Sequence, residues 1–140
     1  MLEHYFFCAK IDEIHSVLEW IEQKILSFGF AKKERNQIQL AIEEVLINII
    51  QHGYGKKEGK IDIAIDMNKE KELKILVKDK ADFFDPTSLD LKEIEKKKSF
   101  SLEERKEGEL GIFFIRNLMD EVLYERKKDT NYLLLKKYKK

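Results

Sequence analysis

The sequence predicts a two-layer α/β sandwich, an α+β fold with one mixed, mostly antiparallel sheet and its helices on one face. Three observations predict it. Two early segments repeat apolar residues at helical spacing. Five other segments are short, apolar or alternating, and four of them form two hairpins. The 140 residues include one proline and six glycines, with no Ser/Gly-rich linker, so 1–140 reads as a single domain.

Residues 3–9 are a short aromatic strand, in which Cys8 reads as a small core residue. Residues 12–28 form an amphipathic helix through Ile14, Val17, Leu18, Ile21, Ile25 and Phe28, stopped by Gly29. Residues 32–52 form a second helix with Ile38, Ile42, Val45 and Ile49 as its apolar stripe, widened by Leu46 and Ile50. Residues 60–67 alternate, with Ile61, Ile63, Ile65 and Met67 on one face and Asp62 and Asp66 on the other. A polar turn at 68–71 leads to a partner strand carrying Leu73, Ile75 and Val77. Residues 87–107 are long, charged and sparsely apolar, fitting a functional loop or a solvated surface helix across 89–98. A helix over 112–119 and strands near 121–126 and 131–138 complete the order βααββ, loop, αββ.

Charge and cysteine content narrow the function classes. The chain has 27 basic and 27 acidic residues, and zero net charge argues against a protein that coats nucleic acid. Residues 126–140 hold seven basic side chains against one acidic, which reads as a solubilising strand edge and terminus. One cysteine allows no internal disulfide and suits a reducing compartment. The longest run free of Asp, Glu, Lys and Arg, 45–55, is too short to cross a bilayer, and no signal-peptide pattern opens the chain. A cytoplasmic protein without membrane or direct nucleic-acid contact is expected.

Three groups of residues are able to do chemistry. Glu44, Asn48 and His52 follow one another at steps of four and share a ridge beside the apolar stripe. Polar side chains at a buried helix border are costly unless a ligand or metal satisfies them; an amide oxygen there suits Mg²⁺. Such spacing also suits a plain solvated flank. Asp79 closes a strand, where it either closes a turn or accepts a hydrogen bond from an exocyclic amine such as that of adenine. Gly108 and Gly111 open the helix over 112–119, where backbone N–H groups can approach a phosphate. Two glycines are a weak motif alone, and they form neither a Walker A motif nor a dinucleotide fingerprint.

Together, in this order, these features resemble the N box and two glycine boxes of the GHKL ATPase/kinase superfamily. The stretches AIEEVLINIIQHGY over 41–54 and GELGIFFIRNLMDEV over 108–122 resemble more closely the single-domain anti-sigma-factor serine/threonine kinases, with their histidine-kinase-like ATPase domain. The resemblance covers about residues 5–138. It implies the Bergerat ATP-binding fold, ATP and Mg²⁺ as cofactors, and phosphorylation of a STAS-domain anti-anti-sigma protein. It also implies sequestration of a partner regulator, in this family often a sigma factor, and a homodimer, for which the Phe/Tyr-rich first strand offers a surface. By the same resemblance Glu44 is the general base, Asn48 the Mg²⁺ ligand, His52 a polar neighbour of the phosphates, and Asp79 the reader of adenine N6. Gly108, Leu110 and Gly111 cradle the phosphates, and 87–107 is the ATP lid with Lys96, Lys97, Lys98, Arg105 and Lys106 on it. Thr130 or Asn131 adds a hydrogen bond on the adenine side.

One position departs from the family pattern. Asp-x-Gly is replaced by Asp79-Lys80-Ala81, which costs about 1 kcal/mol if the backbone there needs positive φ. The alternative function is therefore a non-catalytic partner-switching module on the same fold, with weak or no nucleotide binding. A sensor histidine kinase fits less well, because His15 lies on the first helix with no helical hairpin before it.

Overall fold

The computed structural model of the chain describes residues 2–82 and 115–139. Strand β1 (Glu3–Cys8) leads through a 3-10 turn (Ile11–Glu13) into helix α1 (Ile14–Ser27), and helix α2 (Lys32–Ile47) follows. Strands β2 (Lys60–Met67), β3 (Glu72–Asp79), β4 (Glu121–Lys127) and β5 (Thr130–Tyr138) complete the sheet, in the order β1-β2-β3-β5-β4. All four pairings are antiparallel.

Helices and sheet meet along the faces that their periodicity defines. Val17, Ile21 and Ile25 of α1 and Ile38, Ile42, Val45 and Leu46 of α2 pack against Ile61, Ile63 and Ile65 of β2, Leu73, Ile75 and Val77 of β3, and Leu133 and Leu135 of β5. Burying each of these large aliphatic side chains stabilises the fold by about 1.5–3 kcal/mol before entropy is counted. Polar contacts set the two helices side by side. Gln39 Nε2 donates to Leu18 O at 2.9 Å, and Arg35 Nε donates to Glu22 Oε1 at 2.8 Å.

Several expectations change. The first helix begins as a 3-10 turn at Ile11–Glu13. The second stops being α-helical at Ile47 and continues as a π-helical segment, Asn48–Tyr54, closed by Gly55 at φ +61°. Cys8 is exposed. It shares strand parity with Phe6, which is 71% exposed, while Phe7 turns inward. The basic segment does not form a sheet edge along its length, because β5 lies between β3 and β4. Lys136 there sits 3.5 Å from both Glu72 and Glu121, and Lys137 Nζ donates to Leu118 O at 2.5 Å and to Gln37 Oε1 at 3.1 Å. Among the described residues, no helix is long and apolar enough to cross a membrane.

Candidate functional site

The site lies where the π segment passes over the end of β3. A cavity there is lined by Val45, Asn48, Ile49 and Gly53 from the helix and Asp79, Ala81 and Asp82 from the end of β3. Ile115, Tyr124, Asn131 and Leu133 close the rest. The space open to water is about 30 Å³, room for roughly two waters.

Helical winding decides which residues reach this cavity. Continued α-winding would put His52 one turn below Asn48. The π segment carries more residues per turn and bonds i to i+5, as the Gly55 N–H to Ile50 O contact of 3.0 Å shows. Gly53 therefore takes the lining position, and His52 is half-buried beside it. Gly53 also fits tightly: a Cβ built on it would lie 2.7 Å from the Ala81 Cβ.

Asp79 is 6% exposed, at a strand end where an ionised carboxylate needs donors. Its Oδ1 accepts from Ala81 N at 2.9 Å and from Asn131 Nδ2 at 2.8 Å. Burial, the largest influence, pushes its pKa above the ordinary aspartate value. The bonds from Asn131 and Ala81 and the charge of Arg126 pull against it. Ala81 is accommodated without strain. Among the described residues only Lys71 and Lys128 are non-glycine residues at positive φ, so the Asp-x-Ala backbone asks for no glycine.

Asn48 is 3% exposed, and among the described residues its Nδ2 has no hydrogen-bond partner. A buried amide atom left unmatched costs about 1–3 kcal/mol unless something fills its place. Amide O and N exchange places on a 180° flip, so the group can offer the cavity either a donor or an acceptor. Glu44 lies one turn earlier on α2, half-buried and outside the cavity lining. Burial first, and the charge of Glu43 second, push its pKa up.

Thr130 does not join the cavity. It has the parity of Tyr132 and Leu134 on the open face, and its Oγ1 donates to Asp129 Oδ1 at 3.1 Å. Its neighbour Asn131 is the residue that reaches Asp79. Arg126, read from the sequence as part of a basic tail, is joined to the same group: its Nη1 donates to Asn131 Oδ1 at 2.8 Å and to Ala81 O at 3.0 Å. The two-residue turn Lys128–Asp129 was the available signal, because it pairs Arg126 with Asn131 across the hairpin. Gly108, Leu110, Gly111, the segment 87–107 and most of the helix over 112–119 lie outside the described residues.

Comparison with known proteins identifies the family and the fold. The sequence profile of the histidine kinase-like ATPase domain matches residues 7–137. A protein named serine-protein kinase RsbW from Staphylococcus aureus (strain bovine RF122 / ET3-1) is 32% identical over 104 residues, covering 73% of this chain and 65% of that protein. The protein of the same name from Bacillus thuringiensis (strain Al Hakam) is 34% identical over 94 residues, covering 67% of this chain and 58% of its own length. The chain thus spans somewhat less than two thirds of these relatives. Among solved structures, the histidine kinase domain of the Erythrobacter litoralis EL346 blue-light activated histidine kinase superposes with a TM-score of 0.55 at 15% identity. That match covers 89% of this chain and 60% of the other, and it speaks for the fold.

Proposed function

We propose an ATP-dependent protein-serine kinase, from the premise that this chain belongs to the histidine kinase-like ATPase domain family. The observation that carries the reading is the cavity shared by a buried aspartate on a strand end and a buried, partly unsatisfied asparagine on the facing helix. ATP is the phosphoryl donor, and Mg²⁺ screens the charge of its phosphates.

The chain's own residues divide the work. Asp79 accepts a hydrogen bond from the 6-amino group of adenine. Asn48 fits the metal, because it is buried, it lines the cavity, and an amide oxygen is a ligand that Mg²⁺ prefers. Among the described residues no cluster of three or more His, Cys, Asp or Glu could hold a metal, so Asn48 and phosphate oxygens would share it. Glu44 takes the proton from the serine hydroxyl of a protein substrate, and its raised pKa makes it the stronger base. The resemblance assigns phosphate binding to Gly108, Leu110 and Gly111 and the role of ATP lid to 87–107, all outside the described residues. His52 stands beside the site rather than in it.

The substrate and partner follow from the resemblance: a STAS-domain anti-anti-sigma protein is phosphorylated, and this chain itself sequesters a partner regulator, in this family often a sigma factor. The name serine-protein kinase carried by the relatives supports the reaction class. A cytoplasmic location and pairing with a second copy of the chain belong to the same family-based reading. The test is phosphate transfer from Mg-ATP to a serine of a purified STAS-domain partner, alongside titration with fluorescent ADP. Transfer with ADP binding is the expected result. Absence of both supports the non-catalytic partner-switching module instead, and ADP binding without transfer overturns the kinase reading while keeping the nucleotide site.

A further inference from the structure

We propose that Arg126 is a positioning residue: by fixing the Asn131 amide, it keeps one oxygen of Asp79 turned to the cavity and thereby selects 6-amino over 6-oxo purines. The inference rests on the nucleotide reading of the cavity.

Sheet register creates the arrangement. Asp79 pairs with Asn131, and Asn131 pairs with Arg126, so a carboxylate, an amide and a guanidinium stand in one row across three strands. Asn131 Oδ1 accepts from Arg126 Nη1 at 2.8 Å and from Tyr124 Oη at 2.5 Å. Its Nδ2 donates to Asp79 Oδ1 at 2.8 Å and to Ala81 O at 3.1 Å.

An asparagine can usually flip, exchanging donor for acceptor. Here the flipped amide would set its NH₂ against Arg126 and its oxygen against a carboxylate. Tyr124 does not forbid that, because a phenol can donate or accept. Arg126 does forbid it, because a guanidinium only donates. Arg126 on one side of the amide, with Ala81 O and the carboxylate on the other, holds the orientation in which Asp79 receives a donor from Asn131. It also holds Ala81 O at 3.0 Å, fixing the chain just beyond Asp79.

The consequence falls on Asp79. Among the described residues both of its donors, Ala81 N and Asn131 Nδ2, reach Oδ1. Neither of them takes Oδ2, the oxygen that the proposal assigns to the ligand. An ionised carboxylate accepts from an exocyclic amine and repels an exocyclic carbonyl. The charged and titratable groups around Asp79 are Arg126 on β4, Tyr54 on the π segment, Lys78 and Lys80 flanking it, and Asp82 beyond, itself 3.9 Å from Lys57. Arg126 is the cation whose charge favours the ionised form of Asp79.

The test follows the Asp79 carboxyl by NMR titration and measures ADP and IDP affinity in the unaltered chain, Arg126→Met, Arg126→Lys and Tyr124→Phe. Arg126→Met is expected to raise the titration midpoint of Asp79. It should weaken ADP roughly tenfold while changing IDP about twofold or less, because only the amine contact is lost. Arg126→Lys should recover part of both effects, and Tyr124→Phe should move them less than Arg126→Met does. An unmoved Asp79 midpoint with an unchanged ADP-to-IDP ratio, or an equal loss for both nucleotides, overturns the proposal. If the unaltered chain binds neither nucleotide, the nucleotide reading and the selectivity both fall, while the Asp79 midpoint in Arg126→Met still decides the positioning.

Discussion

The two walls of the cavity are finished to different degrees. On the sheet side, Asp79, Asn131, Arg126 and Tyr124 satisfy one another, and the chain beyond Asp79 is tied in by Ala81. On the helix side, Asn48 is buried with an amide nitrogen that has no partner among the described residues, on a segment wound as a π-helix. Polar atoms that bond to each other make a rigid wall able to discriminate shape and hydrogen-bond pattern. A buried polar atom without a partner costs stability and waits for a ligand. The sheet side is therefore suited to choosing the base, and the helix side to meeting groups that arrive with it.

Experiments can break this contrast, the largest expected effect first. Glu44→Gln on the helix side should lower phosphate transfer by about 100-fold or more, the range in which a general base contributes, while ADP titration stays close to the unaltered chain. The acid limb of transfer should also lie above the ordinary glutamate range. Glu44 works only when ionised and its pKa is raised, so activity falls as pH drops through that raised value.

Asp79→Asn on the sheet side should weaken ADP roughly tenfold in the same titration. Its effect on folding should be opposite in sign. Because the folded-state pKa of Asp79 is raised, the folded chain holds a proton that the unfolded chain releases first, and stability falls as pH rises from the ordinary aspartate value through the raised one. Removing that charge should leave the melting temperature at pH 7 unchanged or higher, and should flatten this acid-side slope. A clear drop in melting temperature at pH 7 would break the account of Asp79 as a charge held at a cost.

The seam between the walls is the next place to test. Gly53→Ala brings a methyl to 2.7 Å from the Ala81 Cβ, and should destabilise by about 1–3 kcal/mol in urea unfolding. Adding Ala81→Gly should return much of that loss, since the pair would then hold one methyl again. The smallest effect belongs outside the cavity: Phe6→Ser, on the exposed face of β1, should shift stability by about 0.5 kcal/mol or less. A larger change would mean that the open face is covered in solution.

How much of this was legible in the sequence depends on the range of the interaction. The strand over 60–67 and its hairpin partner were readable because alternation is a local pattern. Asp79 was readable because it ends an alternating run and is followed by turn residues. The π-helical segment was not, since 45–54 carries an apolar pattern that α-winding fits equally well, and that ambiguity put His52 in the line that Gly53 occupies. Cys8 was misplaced because neither the edge position of β1 nor which neighbour turns inward is encoded in a run of aromatics. Thr130 and Asn131 are adjacent and both polar, and only the register across β5 tells them apart.

By itself the sequence determined the order of the elements, their inward faces, and the placement of Glu44, Asn48 and Asp79 on a helix and a strand end. These follow from spacing along the chain, which local backbone geometry turns directly into faces. Only the tertiary structure decided that Asn131 and Arg126 stand beside Asp79, that Gly53 faces Ala81, and that Lys136 and Lys137 lie on an interior strand of the sheet. Those are contacts between residues far apart in the chain or on different strands. Strand order and register set them, and no local spacing carries either.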